Sequence, residues 1–465
     1  MLLAIAAILA AIILIASKTG HSIRQIRSHT LKTLGALNLS GSKVRLSPEQ
    51  KDLFNKFEAT SNNMFITGKA GTGKSVLLQY MKQNTRKRVA ILAPTGLAAL
   101  NVGAQTINSL FKLPLKYIPL GSLKLDPAVA EVLMHIDAII IDEASMVRAD
   151  VLDAIDSLLS QARKNQYPFG GAQIVLFGDV YQLPPVVDNS DQRMFFTDRT
   201  GGYYFFDAQV WAKASFRTYE LNGVFRQKDE EFISLLNAVR TGDITPGLLA
   251  KLNTRVTKNV PRENILTLAT TNNVVSGINS KHLQSLRSKE YSFKASIIGS
   301  MATAVQPTET ILRLKKGAQV MLIKNDKAKR WANGSIGRIY SCDSDIVRVE
   351  LNGRLYTVAP ETWKTIEYAY DSIADAVIEL TTSSFTQLPI KLAWAVTIHK
   401  AQGQTLDDVI IDFAQGTFAH GQAYVALSRC VSFARLYLTR PINAADIIVD
   451  RRVAAFMEKS SPTTK

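Results

Sequence analysis

Eight consecutive residues, Gly68-Lys69-Ala70-Gly71-Thr72-Gly73-Lys74-Ser75, have the composition and spacing of a phosphate cradle. Its glycines, with Ala70 and Thr72 between them, let main-chain N–H groups wrap an anion. Lys74 would reach the β- and γ-phosphates of a nucleoside triphosphate, and the Ser75 hydroxyl would ligate Mg²⁺. An apolar run, Asn63-Met64-Phe65-Ile66-Thr67, precedes the cradle as a buried strand. Val76-Leu77-Leu78-Gln79-Tyr80-Met81 follows with helical spacing, so a helix N-terminus adds its dipole at the same point. A ligand-free glycine turn is the bland alternative, and the Gly-Lys-Ser end with these flanks argues against it.

Further polar residues stand at the ends of predicted strands. Asp137–Ile141 runs into Asp142-Glu143. A strand-terminal aspartate positions the Mg²⁺ water shell, and an adjacent glutamate can polarise an attacking water. The strand Gln173–Phe177 runs into Gly178-Asp179-Val180-Tyr181-Gln182-Leu183-Pro184-Pro185, where Gln182 would sense the γ-phosphate; a proline-stiffened loop is the alternative. Arg88–Ala93 ends in Pro94-Thr95-Gly96 before a small-residue helix, a turn suited to backbone phosphate contact. Upstream, Ser47, Pro48 and Gln50 make a helix-capping box, and Gln50 could also hydrogen-bond an adenine edge; the two roles are compatible.

These residues need a scaffold of buried parallel strands, with the ligand at the strand ends of an open α/β sheet. The pattern repeats without the cradle from about residue 223. A helix is predicted over roughly Glu230–Arg240, a strand over Ile265–Thr270, and a helix capped by Thr271-Asn272-Asn273. Between about Leu312 and Thr382 the pattern changes to short β-branched runs with tight turns at Asn333-Gly334 and Asn352-Gly353, as in a small antiparallel barrel. Lys315, Lys316, Lys324, Lys327, Lys329, Arg330 and Trp331 give it a basic rim that either holds a single strand or is simply solvated. The α/β pattern resumes at Leu392. The expected organisation is a first domain over 46–222 with an insertion at 105–125, a second domain over 223–310 and 386–460, and a barrel over 311–385.

The formal net charge is +16, of which +6 lies in residues 1–48, a stretch without acidic residues. The +10 left to the body favours a polyanionic partner. The two cysteines, Cys342 and Cys430, are far apart, and neither a disulfide framework nor a structural metal is expected. Residues 1–16 are uninterruptedly apolar, with nine Leu or Ile. As a helix they would span about 24 Å against a hydrocarbon core of roughly 30 Å. Residues 1–17 are read as a membrane anchor and 18–45 as a basic linker, which puts the body in the cytoplasm. A mitochondrial leader, a mistaken start codon and an untethered tail are the other readings.

The motifs GKAGTGKS, APTGLAALNVGAQT, IIIDEASMV, PFGGAQIVLFGDVYQLPPV, FRQ, LAWAVTIHKAQGQTL and AYVALSR stand in this order over residues 46–445. In them the chain resembles the Pif/RecD-like branch of superfamily-one DNA helicases, nearest to the Pif-type members. The resemblance implies two RecA-like P-loop NTPase domains with a small β-barrel inserted in the second, ATP and Mg²⁺ at the domain interface, and single-stranded and forked DNA as partners. It implies Mg²⁺ at Ser75 and Asp142, Glu143 as base, and Arg226 and Arg429 as arginine fingers. Gly403 would close on the γ-phosphate, and Thr95, Gly96, Thr271, Asn272, His399 and Lys400 would lie along DNA. Asn108 stands where such helicases usually carry a histidine, an altered DNA contact. Residues Phe111–Pro119 correspond to a wedge, and the implied polarity is 5′→3′. A helicase-like subunit of a nuclease complex and a non-motor P-loop NTPase are the alternatives.

Overall fold

The computed structural model describes residues 45–460, apart from 115, 120, 122, 188–195, 197–200, 228, 258–264, 302–304, 344–345 and 415. The chain divides into two compact units, residues 1–47 and 48–465. Only residues 45–47 of the first are described, so the apolar segment 1–17 and nearly all of the basic linker lie outside the described residues. Among the described residues no helix is long and apolar enough to cross a membrane.

The second unit opens with helix α1 (Pro48–Ala59) and a parallel six-stranded sheet. Its strands are β1 (Met64–Gly68), β2 (Val89–Ala93), β3 (Gln105–Thr106), β4 (Ala138–Ile141), β5 (Gln173–Phe177) and β6 (Arg217–Leu221), in the order β3-β2-β4-β5-β1-β6. Every residue of β1, β4 and β5 is buried, as expected of strands covered by helices on both faces. This explains why they read as continuous apolar runs. The sequence put residues 105–125 in an insertion, but Gln105 and Thr106 pair with Leu92 and Ala93 as the edge strand. Two residues are too short to show alternation.

The second sheet begins with β7 (Leu266–Ala269) and is then interrupted by antiparallel strands. These are β8 (Glu290–Lys294), β9 (Ser296–Ile298), β10 (Ile311–Lys315), β11 (Gln319–Leu322), β12 (Ile336–Cys342), β13 (Val347–Leu351), β14 (Arg354–Val358), β15 (Glu361–Asp371), β16 (Ala376–Gln387) and β17 (Ile390–Leu392). The sheet resumes with β18 (Ala395–Thr397), β19 (Val409–Asp412) and β20 (Leu436–Leu438), in the parallel order β18-β7-β19-β20. The interruption has its own apolar core, which includes Leu312, Val320, Ile339, Val349 and Ile390. It is wider than residues 311–385: β8 pairs with β10, and β9 with β16. In β14-β13-β12-β11-β17 the terminal strands do not pair with each other among the described residues.

The long β15–β16 hairpin leaves this module and reaches the first sheet. The Tyr368 hydroxyl accepts from Ile91 N–H at 2.9 Å and donates to Ile91 C=O at 3.2 Å. Edge strand β3 covers only Leu92 and Ala93, so the tyrosine satisfies the unpaired backbone just below. Arg88 pairs with Asp375 at 2.9 Å, and His135 stacks on Tyr370 with ring centroids 3.5 Å apart.

Candidate active site

The cradle leaves the C-terminal end of β1 and enters helix α2 (Lys74–Asn84). Gly71 and Gly73 hold φ of 86° and 81°, a region that disfavours side chains. A Cβ on Gly71 would lie 2.6 Å from Arg226 Cβ, and one on Gly73 would lie 2.5 Å from Gln50 Nε2. The backbone is therefore glycine for space as well as for dihedral angle. Thr72 donates its hydroxyl to Lys69 C=O at 2.9 Å. Lys74 Nζ donates to the carbonyls of Gly68 at 2.5 Å and Lys69 at 3.1 Å, folding over the loop it serves. Burial pushes its ammonium pKa down, against the fields of Asp179, Glu143 and Asp142. Ser75 is exposed toward the cleft. Gln50 is buried in α1 and donates Nε2 to Gly73 C=O at 3.2 Å.

Asp142 follows β4, and its Oδ1 accepts the Glu143 N–H at 2.9 Å. Glu143 itself has a left-handed backbone, φ 50°. Burial, then the neighbouring Glu143 carboxylate, raises Asp142 to about 7; burial also raises Glu143, opposed by Lys74 and Arg429. Carboxyls held this way suit a cation or a proton. Gln402, on the turn after β18, donates to Glu143 Oε2 at 2.9 Å and lies 3.4 Å from Gln182 Oε1.

Two guanidinium groups come to the same place, one from the second sheet and one from the segment that follows β6. Arg429 follows the helix Gln422–Leu427, is 1% exposed, and donates to the carbonyls of Val425 and Gln404 and to the Ser428 hydroxyl. Arg226 Nη1 donates to Ser428 C=O at 3.2 Å. Neither pairs with a carboxylate among the described residues. Burial and the nearby Arg226 charge bring Arg429 down to about 9. Two neighbouring buried cations, neither ion-paired to a carboxylate among the described residues, fit an anionic ligand beside the glycine cradle.

The described residues line a cleft of about 1650 Å³ that runs from Ser75, Asp142, Glu143, Gln402 and Gly403 past Thr95, Gly96, His399 and Lys400 to Arg330 and Trp331 of the antiparallel module. Thr95 caps helix α3 (Gly96–Val102), and a Cβ on Gly96 would lie 1.9 Å from Val305 Cγ1, so this turn is closely covered. His399 stacks on exposed Phe418, and burial lowers its pKa. Thr271 and Asn272, at the start of a second-sheet helix, are exposed and outside this cleft. Asn108 is half-buried, and its Nδ2 donates to the Leu113 and Pro114 carbonyls. Of the basic rim residues, Lys324 pairs with Glu361 at 3.0 Å and Arg330 with Asp326 at 2.7 Å.

Three contacts were not foreseen from the residues. Tyr424 accepts the Ala70 N–H of the cradle at 2.9 Å, and Phe225 N–H donates to Gly71 C=O at 2.8 Å. Arg240 of helix α4 (Glu230–Thr241) forms a buried pair with Asp179 at 3.0 Å. All three join chain segments far apart in sequence. Only their lying inside or beside motifs could have marked them.

The sequence profile of the PIF1-like helicase family matches residues 45–247. ATP-dependent DNA helicase PIF1 of Rattus norvegicus is 34% identical over 414 residues, covering 85% of this chain and 61% of the rat protein. The chain thus spans about three fifths of the length of the mammalian relatives it matches. ATP-dependent DNA helicase Pif1 of Bdellovibrio bacteriovorus is 32% identical, covering 90% of this chain and 92% of its own length. Unliganded Pif1 from Bacteroides superposes with a TM-score of 0.83 at 33% identity, covering 90% of this chain and 98% of that one. The same protein bound to ssDNA superposes with a TM-score of 0.65 at 34% identity, covering 89% of this chain and 97% of that one. Similarity across nearly the whole of the two bacterial proteins, over the segments that build the cradle and the opposing arginines, makes this chain a member of the PIF1-like helicase family.

Proposed function

We propose that the chain is an ATP-dependent DNA helicase that moves 5′→3′ on single-stranded DNA and opens forks in replication, repair or recombination. The observation that carries this reading is the meeting of the two sheets at one cradle: Arg429, from the second sheet, acts on Glu143 of the first, and Arg226, from the segment after β6, packs against Gly71 of the cradle. In this reading Gln50 recognises adenine, the cradle amides and Lys74 hold the phosphates, and Ser75 and Asp142 hold Mg²⁺. When bound, Mg²⁺ would neutralise phosphate charge. Glu143 takes the proton of the attacking water, Gln182 senses the γ-phosphate, Gly403 closes on it, and Arg226 and Arg429 stabilise the charge that develops, a contribution of about 10³–10⁵ in turnover in related NTPases.

Thr95, Gly96, Asn108, Thr271, Asn272, His399 and Lys400 are the proposed strand contacts; Thr95, Gly96, His399 and Lys400 line the cleft, and the other three lie outside it. The ssDNA complex of the Bacteroides protein supports this partner. Two RecA-like domains, the second carrying an inserted antiparallel module that runs from β8 to β17 rather than over 311–385, belong to the same proposal. ATP drawing the arginines to the cradle would close the cleft, and hydrolysis would release it. Alternating grip on a backbone predicts little sequence preference and strong salt dependence. ATPase assays with and without single-stranded DNA, followed by unwinding of a fork with a 5′ tail, test the reading; hydrolysis indifferent to DNA would refute it. An anchor in residues 1–17 of an otherwise cytoplasmic protein is a separate proposal, refuted by release of the full-length protein in an alkaline wash of membranes.

A further inference from the structure

One cation in the cleft wall has no part in the site described so far. Lys391 is the middle residue of β17, opposite Met321 in the ladder with β11. Its strand is firmly held: Ile390 is fully buried, and its C=O accepts the Thr308 hydroxyl at 2.7 Å. The side chain lines the cleft with Thr308, Glu309, His399 and Lys400, and is half-buried. Among the described residues no carboxylate pairs with its ammonium and no acceptor bonds to it. The charges that act on it are Lys400, from the turn after β18, and the weaker opposing field of Glu309, from the segment before β10. Withdrawing an unpaired ammonium from water is costly, and an apolar side chain would fill this position without that cost. This ammonium is therefore short of an anionic partner. The neighbouring Lys400 and the run of the cleft toward Thr95 make an extended polyanion a better match than a small ion.

We propose that Lys391 grips a backbone phosphate of single-stranded nucleic acid in the cleft wall formed by β17. This rests on the reading of the cleft as a strand path. Burial, with Lys400, brings the Lys391 ammonium down to about 8. A phosphate contact favours the charged form, so strand binding takes up a proton above that pH. The ammonium of the free protein is charged at pH 7 and mostly neutral at pH 9, whereas in the complex it stays charged. Affinity should therefore fall about tenfold between pH 7 and pH 9 through this group alone.

The test is fluorescence anisotropy of a labelled oligothymidylate with the full chain, without nucleotide, at pH 7, 8 and 9 and over a salt series. Lys391→Arg should keep the affinity at pH 7 and lose this share of the pH dependence. Lys391→Gln should bind about tenfold more weakly at pH 7, with a log–log salt slope shallower by about 0.7, and with ADP affinity unchanged. A wild-type pH profile in Lys391→Arg, or wild-type affinity and slope in Lys391→Gln, would overturn the assignment while leaving the strand path intact. Loss of ADP binding in Lys391→Gln would overturn it as well, because the lesion would then not be local. Failure of the wild-type protein to bind the oligonucleotide would remove the strand path and this contact together.

Discussion

Gln402 donates its side-chain amide to Glu143 at 2.9 Å, so a residue of the second sheet holds the carboxylate at the tip of a first-sheet strand. The same amide lies 3.4 Å from Gln182. Movement of the second sheet is thereby felt at two residues beside the cradle. Removing a hydrogen bond to a charged group costs about 1.5–3 kcal/mol, so Gln402→Ala should lower DNA-stimulated turnover roughly 10- to 100-fold. Its KM for ATP should change little, because no contact with the phosphates is lost. Steady-state kinetics with saturating single-stranded DNA checks both numbers.

Lys74 and Arg429 should separate binding from chemistry. Lys74→Ala removes the charge over the cradle and should abolish both tight nucleotide binding and hydrolysis. Arg429→Ala should leave ADP affinity within a fewfold of wild type while turnover drops about 10³-fold or more, the range for a lost arginine finger. Circular dichroism and thermal melting should show both variants folded. Arg429 makes hydrogen bonds only to nearby carbonyls and one hydroxyl, and Lys74 only to its own loop.

What was legible in the sequence follows from how local each signal is. The cradle, β4 with Asp142-Glu143 and β5 with Gln182 are contiguous runs whose flanks announce their structure. Arg226 and Arg429 were reachable only through the resemblance, because nothing local says that two arginines 203 positions apart converge. The β15–β16 hairpin was folded into a generic barrel. Its outer strand residues are exposed and mixed in character, such as Thr381 and Thr382, so alternation is weak there. The Asp179–Arg240 pair left no mark, since each residue alone looks like a solvated charge.

The hairpin offers a stability test away from the chemistry. Tyr368→Phe keeps the packed ring but leaves Ile91 N–H and C=O without a side-chain partner at a buried sheet edge. Each unsatisfied buried group costs about 1–3 kcal/mol. Hydrogen exchange at Ile91 should accelerate accordingly, and limited proteolysis should cut the hairpin sooner. Nucleotide affinity should be unchanged, because Ile91 does not touch the cradle.

The buried pair between Asp179 and Arg240 should be costly to break. Asp179 sits just past β5, Arg240 on α4, and both side chains are almost wholly hidden. Arg240 also lies over the Tyr181 ring at 4.3 Å. Burial alone would raise Asp179, but Arg240 and Lys74 outweigh it and hold the carboxyl below its usual value. A depressed carboxylate adds stability that is complete above the unfolded value, near 4, and is lost as pH falls through the folded one. Asp179→Asn leaves a buried guanidinium unpaired and should destabilise by roughly 3–5 kcal/mol. It should also flatten the part of the acid-unfolding curve below about pH 4 that this group provides. Replacing both partners, as in Asp179→Leu with Arg240→Met, should recover much of the loss, because neither charge is then stranded. Urea melts of wild type and the two variants at pH 7 and at acid pH decide it: equal stability of Asp179→Asn and wild type would mean that the pair contributes nothing to holding the two sheets together.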